Sequence, residues 1–210
     1  MTRTRIKICG IRTEEALFAA ADFGADAVGF MFVASSPRFI DPDEAFALMS
    51  ILPPFTSAVG VFMDPDPDEF AEVEQRCPTP YTQLHGSESE KLVKACGPDI
   101  VKAVRFHPDT IGHELDRWGV CEDVAAILVD GSAGGQGESF EWSKLAPLVE
   151  ACAKPIILAG GLTPDNVGDA IRTVRPYGVD VSSGVERARG EKDPALIEAF
   201  CRAVRQADAG

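Results

Sequence analysis

The chain has 210 residues, of which 45% are hydrophobic and 25% charged, a composition typical of globular proteins. Its net charge of -13 and its lack of a basic patch argue against nucleic-acid binding, because proteins neutralise phosphates with clustered lysines and arginines. The sequence has no signal-peptide core, no apolar run long enough to span a membrane and no C-x-x-C pair among its six cysteines. We therefore expect a reduced, cytoplasmic protein that binds neither membranes nor nucleic acids.

Eight short apolar runs alternate with longer segments that have the character of helices. Most of the runs are rich in valine, isoleucine, leucine or phenylalanine and lack polar alternation, as strands buried on both faces do. The predicted strands are residues 5–8, 27–32, 57–62, 81–84, 99–104, 125–129, 155–158 and 179–181.

Capping signals indicate where several of the helices begin. Thr13 precedes two glutamates, and Asp41, Asp66 and Asp193 each precede a proline, which is favoured at the first helical position. The segments that begin at positions 87, 142 and 163 are predicted as the fourth, sixth and seventh helices.

Eight strand–helix units without a Ser- or Gly-rich linker predict a single domain over residues 1–210. Their simplest arrangement is an α/β fold, a (β/α)8 TIM barrel with a closed eight-stranded parallel sheet. A doubly wound open sheet is the competing arrangement, but no G-x-G-x-x-G motif follows the first strand. The fifth helix, within residues 109–120, is predicted to be weak or irregular because Gly112 and Gly119 interrupt it.

A thiol ends the first strand. Cys9 is followed at once by Gly10, which allows a tight turn and lets a ligand approach the backbone. In a barrel the carboxyl ends of the strands hold the active site, so Cys9 is a candidate for chemistry. The alternative is that Cys9 is a small buried hydrophobe, as most free cysteines are, and its position alone leaves both open.

A carboxyl group ends the sixth strand. Asp130 follows four apolar residues and precedes the glycine-rich segment 131–137, which we interpret as a candidate mobile lid. Burial there would raise the pKa of Asp130 and suit it to donate a proton. The alternative, an Asx turn that closes the strand, is less favoured beside such a loop.

Small residues end the last two strands. In a barrel these two loops are neighbours, and their backbone N–H groups can approach phosphate oxygens closely. Two such clusters at adjacent strand ends favour a phosphate site over ordinary turns. The candidate phosphate residues are Gly160, Gly161, Ser183 and Gly184.

Two further side chains are candidates for ligand binding. Arg38, in the loop after the second strand, could hold a carboxylate through two parallel hydrogen bonds, although a solvated loop arginine is the alternative. His85 is the only histidine at a strand end. No His, Asp or Glu cluster has the spacing of a metal site, so we predict no metal.

These features together resemble the phosphoribosylanthranilate isomerase family, which acts in tryptophan biosynthesis. The resemblance covers nearly the whole chain, and its first and last motifs are highly specific. The matching segments are KICG (7–10), SPR (36–38), GVF (60–62), QLHG (83–86), LAGGL (158–162) and VDVSSGVE (179–186).

The resemblance implies a (β/α)8 barrel that performs an Amadori rearrangement of N-(5-phosphoribosyl)anthranilate without a cofactor. Asp130 would be the general acid that protonates the furanose ring oxygen, and Cys9 the general base that removes the C2′ proton. Arg38 would hold the anthranilate carboxylate, and the two small-residue loops would hold the phosphate. The protein would act on this small molecule as a monomer or a homodimer.

We have further expectations for four other positions, Lys7, Asp180, His85 and Gln136. Strand alternation points Lys7 inward below Cys9, where an ammonium would favour the thiolate. Asp180 is expected to pair with the substrate's amino group or with Lys7, and His85 is expected to bind substrate. Gln136 stands where the family more often has Thr or Ser, which leaves the contacts of that loop open.

Two competing functions remain. The histidine-pathway isomerase that performs the same kind of rearrangement resembles a two-carboxylate design, with an aspartate where this chain has Cys9. A non-catalytic barrel that binds phosphorylated metabolites needs neither Cys9 nor Asp130. Both residues together therefore favour the anthranilate isomerase.

Overall fold

The computed structural model describes residues 3–131 and 141–210. Within them, eight parallel strands close into a barrel in which each strand pairs with the next and β8 pairs with β1. This arrangement confirms the closed barrel predicted above. The strands are β1 Arg5–Cys9, β2 Ala27–Met31, β3 Ser57–Phe62, β4 Tyr81–Leu84, β5 Ile100–Arg105, β6 Val124–Asp130, β7 Ile156–Ala159 and β8 Gly178–Val181.

Helices alternate with these strands and cover the outside of the barrel. They are α1 Glu14–Asp22, α2 Pro42–Ser50, α3 Pro67–Arg76, α4 Glu90–Ala95, α5 Ile111–Gly119, α6 Trp142–Ala151, α7 Val167–Val174 and α8 Pro194–Ala209. Between β8 and α8 lie a 3₁₀ turn, Ser183–Val185, and an antiparallel hairpin of β9 Glu186–Ala188 and β10 Glu191–Lys192. Among the described residues, no helix is long and apolar enough to cross a membrane.

Side-chain caps begin four of the described helices at the predicted residues, Thr13, Asp41, Asp66 and Asp193. The carboxylates of Asp41, Asp66 and Asp193 each accept a hydrogen bond from a backbone N–H two residues later, at 2.9 Å. Two helices begin later than the sequence indicates. The cap of α4 is Ser89 and that of α7 is Asn166.

Helix α5 is continuous, so the interruption predicted at Gly112 is wrong. Its apolar residues Ile111, Leu115 and Trp118 recur at helical spacing and are all buried against the barrel. Burial of this stripe stabilises the helix by more than the roughly 1 kcal/mol that an internal glycine costs. Gly119 is the last residue of the helix and not a break within it.

Strand register places polar side chains inside the barrel. In β1, Ile6 and Ile8 belong to the hydrophobic core between strands and helices, so alternation directs Lys7 and Cys9 to the interior. Lys7 is paired in register with Asp180 of β8. Since all strands run in parallel, their carboxyl ends meet at one face of the barrel.

Candidate active site

A cavity of about 260 Å³ opens at the carboxyl ends of the strands. Its walls come from the ends of strands on both sides of the barrel and from the loop after β2. Gly184, in the turn after β8, is not part of the lining. The other eight residues predicted from the sequence line it: Cys9, Arg38, His85, Asp130, Gly160, Gly161, Asp180 and Ser183.

The thiol of Cys9 lies beside a buried ion pair. Lys7 Nζ donates a hydrogen bond of 2.8 Å to Asp180 Oδ1, and its positive charge acts on the thiol of Cys9 to lower the pKa of that group. Gly29 on β2 leaves room for this group, because a Cβ there would lie 2.9 Å from the Cys9 sulfur. The prediction that Lys7 points inward below Cys9 is confirmed.

Several groups act on the pKa of the Cys9 thiol in opposite directions. Burial raises the pKa of Cys9, and Asp180 raises it further, while Lys7 and Lys192 lower it by less. The pKa of Cys9 therefore lies above the ordinary thiol value. Burial disfavours the charge of Lys7. The carboxylate of Asp180 and the thiolate of Cys9 nevertheless hold the pKa of Lys7 above its usual range. Lys7 favours the thiolate, as expected, but desolvation outweighs the lysine.

Asp130 is linked to a histidine and a glutamine of β4 and its following turn. His85 Nε2 lies 3.1 Å from Asp130 Oδ2, and Gln83 Nε2 lies 2.8 Å from His85 Nδ1. When the Gln83 amide donates to Nδ1, the imidazole proton resides on Nε2 and points at the Asp130 carboxyl. Sequence reasoning found Asp130 and His85 but missed Gln83, which is almost completely buried.

Arg38 is buried and engaged, which excludes the alternative of a solvated loop arginine. Its Nε and Nη2 donate to the two carboxylate oxygens of Glu186 at 2.7 and 2.9 Å. The two side chains are 9% and 4% exposed. Burial would raise the pKa of Glu186, but hydrogen bonds from Arg38 and Lys192 lower it to about 2. Glu186 is therefore ionised at neutral pH.

Arg38 keeps a free donor for a ligand. Among residues 3–131 and 141–210, its Nη1 has no hydrogen-bond partner, and its side chain lines the cavity. Lys192, which sequence reasoning also missed, holds Glu186 from the other side at 2.7 Å. No local pattern could have revealed the pair of Arg38 and Glu186, because these two residues are 148 positions apart.

The loops after β7 and β8 meet as the sequence predicts. Gly160 and Gly161 have φ values of +92° and +65°, which favour glycine. A Cβ added to Gly184 would collide with the carbonyl oxygen of Leu162, so the two loops are in direct contact. In the part of the chain that the structure describes, the N–H groups of Gly161 and Leu162 donate no hydrogen bond. Such unpaired N–H groups are available to an anion.

Two further expectations concern the lid after β6 and a metal site. The lid predicted for residues 131–137, with Gln136, falls almost entirely on positions outside the described residues. Within the described ranges, no group of three His, Cys, Asp or Glu side chains could hold a metal ion.

Comparisons with known proteins agree on one family. Residues 6–203 match the family model described as N-(5'-phosphoribosyl)anthranilate (PRA) isomerase. The isomerase of that name from Pseudomonas putida (strain GB-1) is 47% identical over 215 residues, which cover 99% of this chain and 100% of that protein.

Solved structures of the same family share the fold. One phosphoribosyl anthranilate isomerase, in complex with reduced 1-(o-carboxyphenylamino)-1-deoxyribulose 5-phosphate, is 35% identical with a TM-score of 0.85. A monomeric form of the dimeric isomerase from Thermotoga maritima is 34% identical with a TM-score of 0.83. Each comparison covers 97% of this chain and 99% of the other.

Proposed function

Because the chain belongs to the N-(5'-phosphoribosyl)anthranilate isomerase family, we propose that Cys9 and Asp130 are the general base and the general acid of its reaction. That reaction is an aldose–ketose isomerisation in tryptophan biosynthesis. It converts N-(5'-phosphoribosyl)anthranilate to 1-(2-carboxyphenylamino)-1-deoxyribulose 5-phosphate. The observation that carries the assignment is that the thiol and the carboxyl group line one cavity from different strands.

The first step opens the sugar ring. Asp130, as the carboxylic acid, gives its proton to the furanose ring oxygen while the C1′–O bond breaks. The nitrogen lone pair forms the C1′=N bond, which yields a cationic Schiff base and a carboxylate. His85 is 3.1 Å from the same carboxyl group and orients it toward the ligand.

The second step moves a proton from carbon. The thiolate of Cys9 takes the C2′ proton, and the C–H electrons form the C1′=C2′ bond as the nitrogen regains its lone pair. The enol amine then loses its hydroxyl proton and gains one at C1′, which gives the ketone. Since burial raises the pKa of Cys9, the thiolate requires positive charge nearby. Lys7 and the cationic Schiff base supply that charge.

Two anionic groups of the substrate are bound at opposite ends. The phosphate binds at Gly160 and Gly161, beside the turn that carries Ser183 and Gly184. Among the described residues, the nearby N–H groups of Gly161 and Leu162 donate no hydrogen bond. The anthranilate carboxylate accepts hydrogen bonds from the free edge of Arg38. Asp180 and His85 line the cavity between these ends and contact the ribose and the amino group.

The setting of the reaction is also a proposal. One domain over residues 1–210 acts in the cytoplasm on this small phosphoribosyl substrate, without nucleic acid or membrane. The assembly is a monomer or a homodimer, and the related protein described as dimeric supports the second form. Light scattering on the purified protein should give the mass of one or two chains. A larger mass would contradict this.

The test is a fluorescence assay that follows the loss of phosphoribosylanthranilate after the purified chain is added. We expect turnover of this substrate and none of the histidine-pathway aminoimidazole substrate. If the chain binds phosphoribosylanthranilate without consuming it, the non-catalytic barrel is the correct alternative.

A further inference from the structure

The hairpin after β8 builds a second layer of charge behind Arg38. Lys192 Nζ donates to Glu186 Oε1 at 2.7 Å, to the carbonyl oxygen of Ser182 at 2.9 Å and to Ser182 Oγ at 3.2 Å. All three ammonium hydrogens are thereby used, and the side chain is 2% exposed. Neither Glu186 nor Lys192 is among the residues that line the cavity.

The carboxylate of Glu186 is saturated. Besides Arg38 and Lys192, it accepts the backbone N–H of Gly190 at 3.1 Å. Four donors occupy the roughly four lone-pair sites of a carboxylate, so Glu186 has no capacity left for a ligand. Glu186 therefore acts by holding Arg38 and Lys192 and not by binding a ligand.

Arg38 is confined on its other side by Gly10. A Cβ at Gly10 would lie 2.8 Å from Arg38 Cδ, so the arginine stem packs directly on this glycine. The hairpin also packs on the loop that carries Arg38, because a Cβ at Gly190 would lie 2.6 Å from the Pro37 carbonyl oxygen. The guanidinium is therefore fixed in one orientation before any ligand binds.

The charges of the cluster do not cancel. Arg38 and Lys192 are cations and Glu186 is an anion, which leaves one net positive charge. Without Lys192, the pair of Arg38 and Glu186 would be neutral and would attract a carboxylate weakly. Because these side chains are buried, solvent screens this difference less than it would at the surface.

We propose that Glu186 and Lys192 are positioning residues that make the site selective for a ligand with a carboxylate. Glu186 fixes the guanidinium of Arg38, and Lys192 restores the positive charge that Glu186 cancels. The inference rests on the proposed role of Arg38 as the carboxylate-binding residue. It assigns to the hairpin a function in substrate selection that acts through charge.

The test compares two ligands on several variants. One is reduced 1-(o-carboxyphenylamino)-1-deoxyribulose 5-phosphate, and the other is its phenylamino counterpart without the carboxylate. For Lys192→Met we expect affinity for the carboxylated ligand to fall about tenfold, and affinity for the counterpart to remain nearly unchanged. Lys192→Arg keeps the charge and should retain most of the selectivity. Equal losses for both ligands in Lys192→Met would overturn the inference.

A matched control separates selectivity from general damage. Lys102 Nζ forms a comparable buried pair with Glu88 Oε2 at 2.7 Å, away from Arg38. Lys102→Met should lower the thermal unfolding midpoint but leave the ratio of the two affinities unchanged. If this control loses the same selectivity, the effect of Lys192 is generic and the inference fails.

Two further variants keep the outcomes distinct. Arg38→Met must lose affinity for the carboxylated ligand selectively. If Arg38→Met weakens both ligands equally, the proposed role of Arg38 is wrong. If Arg38→Met weakens only the carboxylated ligand but Lys192→Met weakens both, the positioning role alone is wrong. If Lys192→Met does not fold, Lys192→Gln takes its place, since it keeps one donor for Glu186 without the charge.

Discussion

Cys9 lies in surroundings that oppose its own ionisation. The barrel interior and Asp180 disfavour the thiolate, and the nearby lysines offset this only in part. A base with a raised pKa is strong once formed but is present in a small fraction in the free enzyme. In the proposed mechanism, the cationic Schiff base would favour ionisation of Cys9 at the moment when the base is needed.

We predict that alkylation of Cys9 by iodoacetamide speeds up with pH through a midpoint above the ordinary thiol pKa of about 8.5. The reason is that only the thiolate reacts and burial raises its pKa. Mass spectrometry of the Cys9 peptide gives the rate at each pH. The same peptide in the unfolded chain is the matched control, and a lower midpoint in the folded protein would contradict the account.

The hairpin of β9 and β10 connects the β8 turn to the loop after β2. The folded state keeps Glu186 ionised to about pH 2, whereas an unfolded glutamate protonates near pH 4.3. Stability from this group is therefore present above about pH 4.3 and is lost as the pH falls toward 2.

We predict that Glu186→Gln lowers the free energy of unfolding at neutral pH, because it leaves the buried cations Arg38 and Lys192 without their anion. The difference from the unsubstituted protein should shrink as the pH falls from about 4.3 toward 2. Urea unfolding at several pH values measures it. A difference that is constant over this range would show that the ion pairs do not stabilise the folded state.

The contact between the β7 and β8 loops gives a second prediction at this scale. Gly184→Val should lower both stability and phosphate affinity, since its Cβ would push the Leu162 carbonyl away. Ser183→Asp adds a like charge at the cavity wall, so it should weaken phosphate binding with less loss of stability. Calorimetry with inorganic phosphate and thermal unfolding provide the two readouts. Phosphate affinity that survives both substitutions would remove these loops from the phosphate site.

The sequence predicts the positions that end a strand better than the pairs that form across the barrel. Cys9 and Asp130 follow apolar runs, and in a parallel barrel every strand end reaches the same face. By contrast, the contact of His85 with Asp130 spans 45 residues, and the pair of Arg38 and Glu186 spans 148. Such pairs leave no local pattern, because only closure of the barrel brings them together.

The hairpin was beyond sequence reasoning for a related reason. Residues 186–192 are mostly polar and each strand is two or three residues long, so neither apolar periodicity nor length marks them. The continuity of α5 was mispredicted because glycine propensity was weighed without the burial of Ile111, Leu115 and Trp118.

Buried thiols make the stability of the entire fold sensitive to alkaline pH. Burial raises the pKa of Cys77 and Cys201 to about 11 in the folded protein. A thiol in the unfolded chain ionises near pH 8.5. The contribution of these two thiols to the free energy of unfolding is therefore fully present below that pH and is lost as the pH rises toward 11.

We predict that the free energy of unfolding declines over this range, and that Cys201→Ala declines less steeply than the unsubstituted protein. Cys201 is fully buried, and its part of the decline should be on the order of 3 kcal/mol. Guanidinium unfolding at a series of alkaline pH values gives the slope. Equal slopes for the two proteins would mean that Cys201 does not titrate with unfolding.

Single-turnover loss of phosphoribosylanthranilate fluorescence tests whether Cys9 and Asp130 perform the proton transfers. The measurement compares the unsubstituted protein with Cys9→Ser and Asp130→Asn at saturating enzyme. We predict that each substitution slows the turnover rate by about 10²–10⁴-fold while the substrate still binds. A rate in either variant close to that of the unsubstituted protein would contradict the claim for that residue.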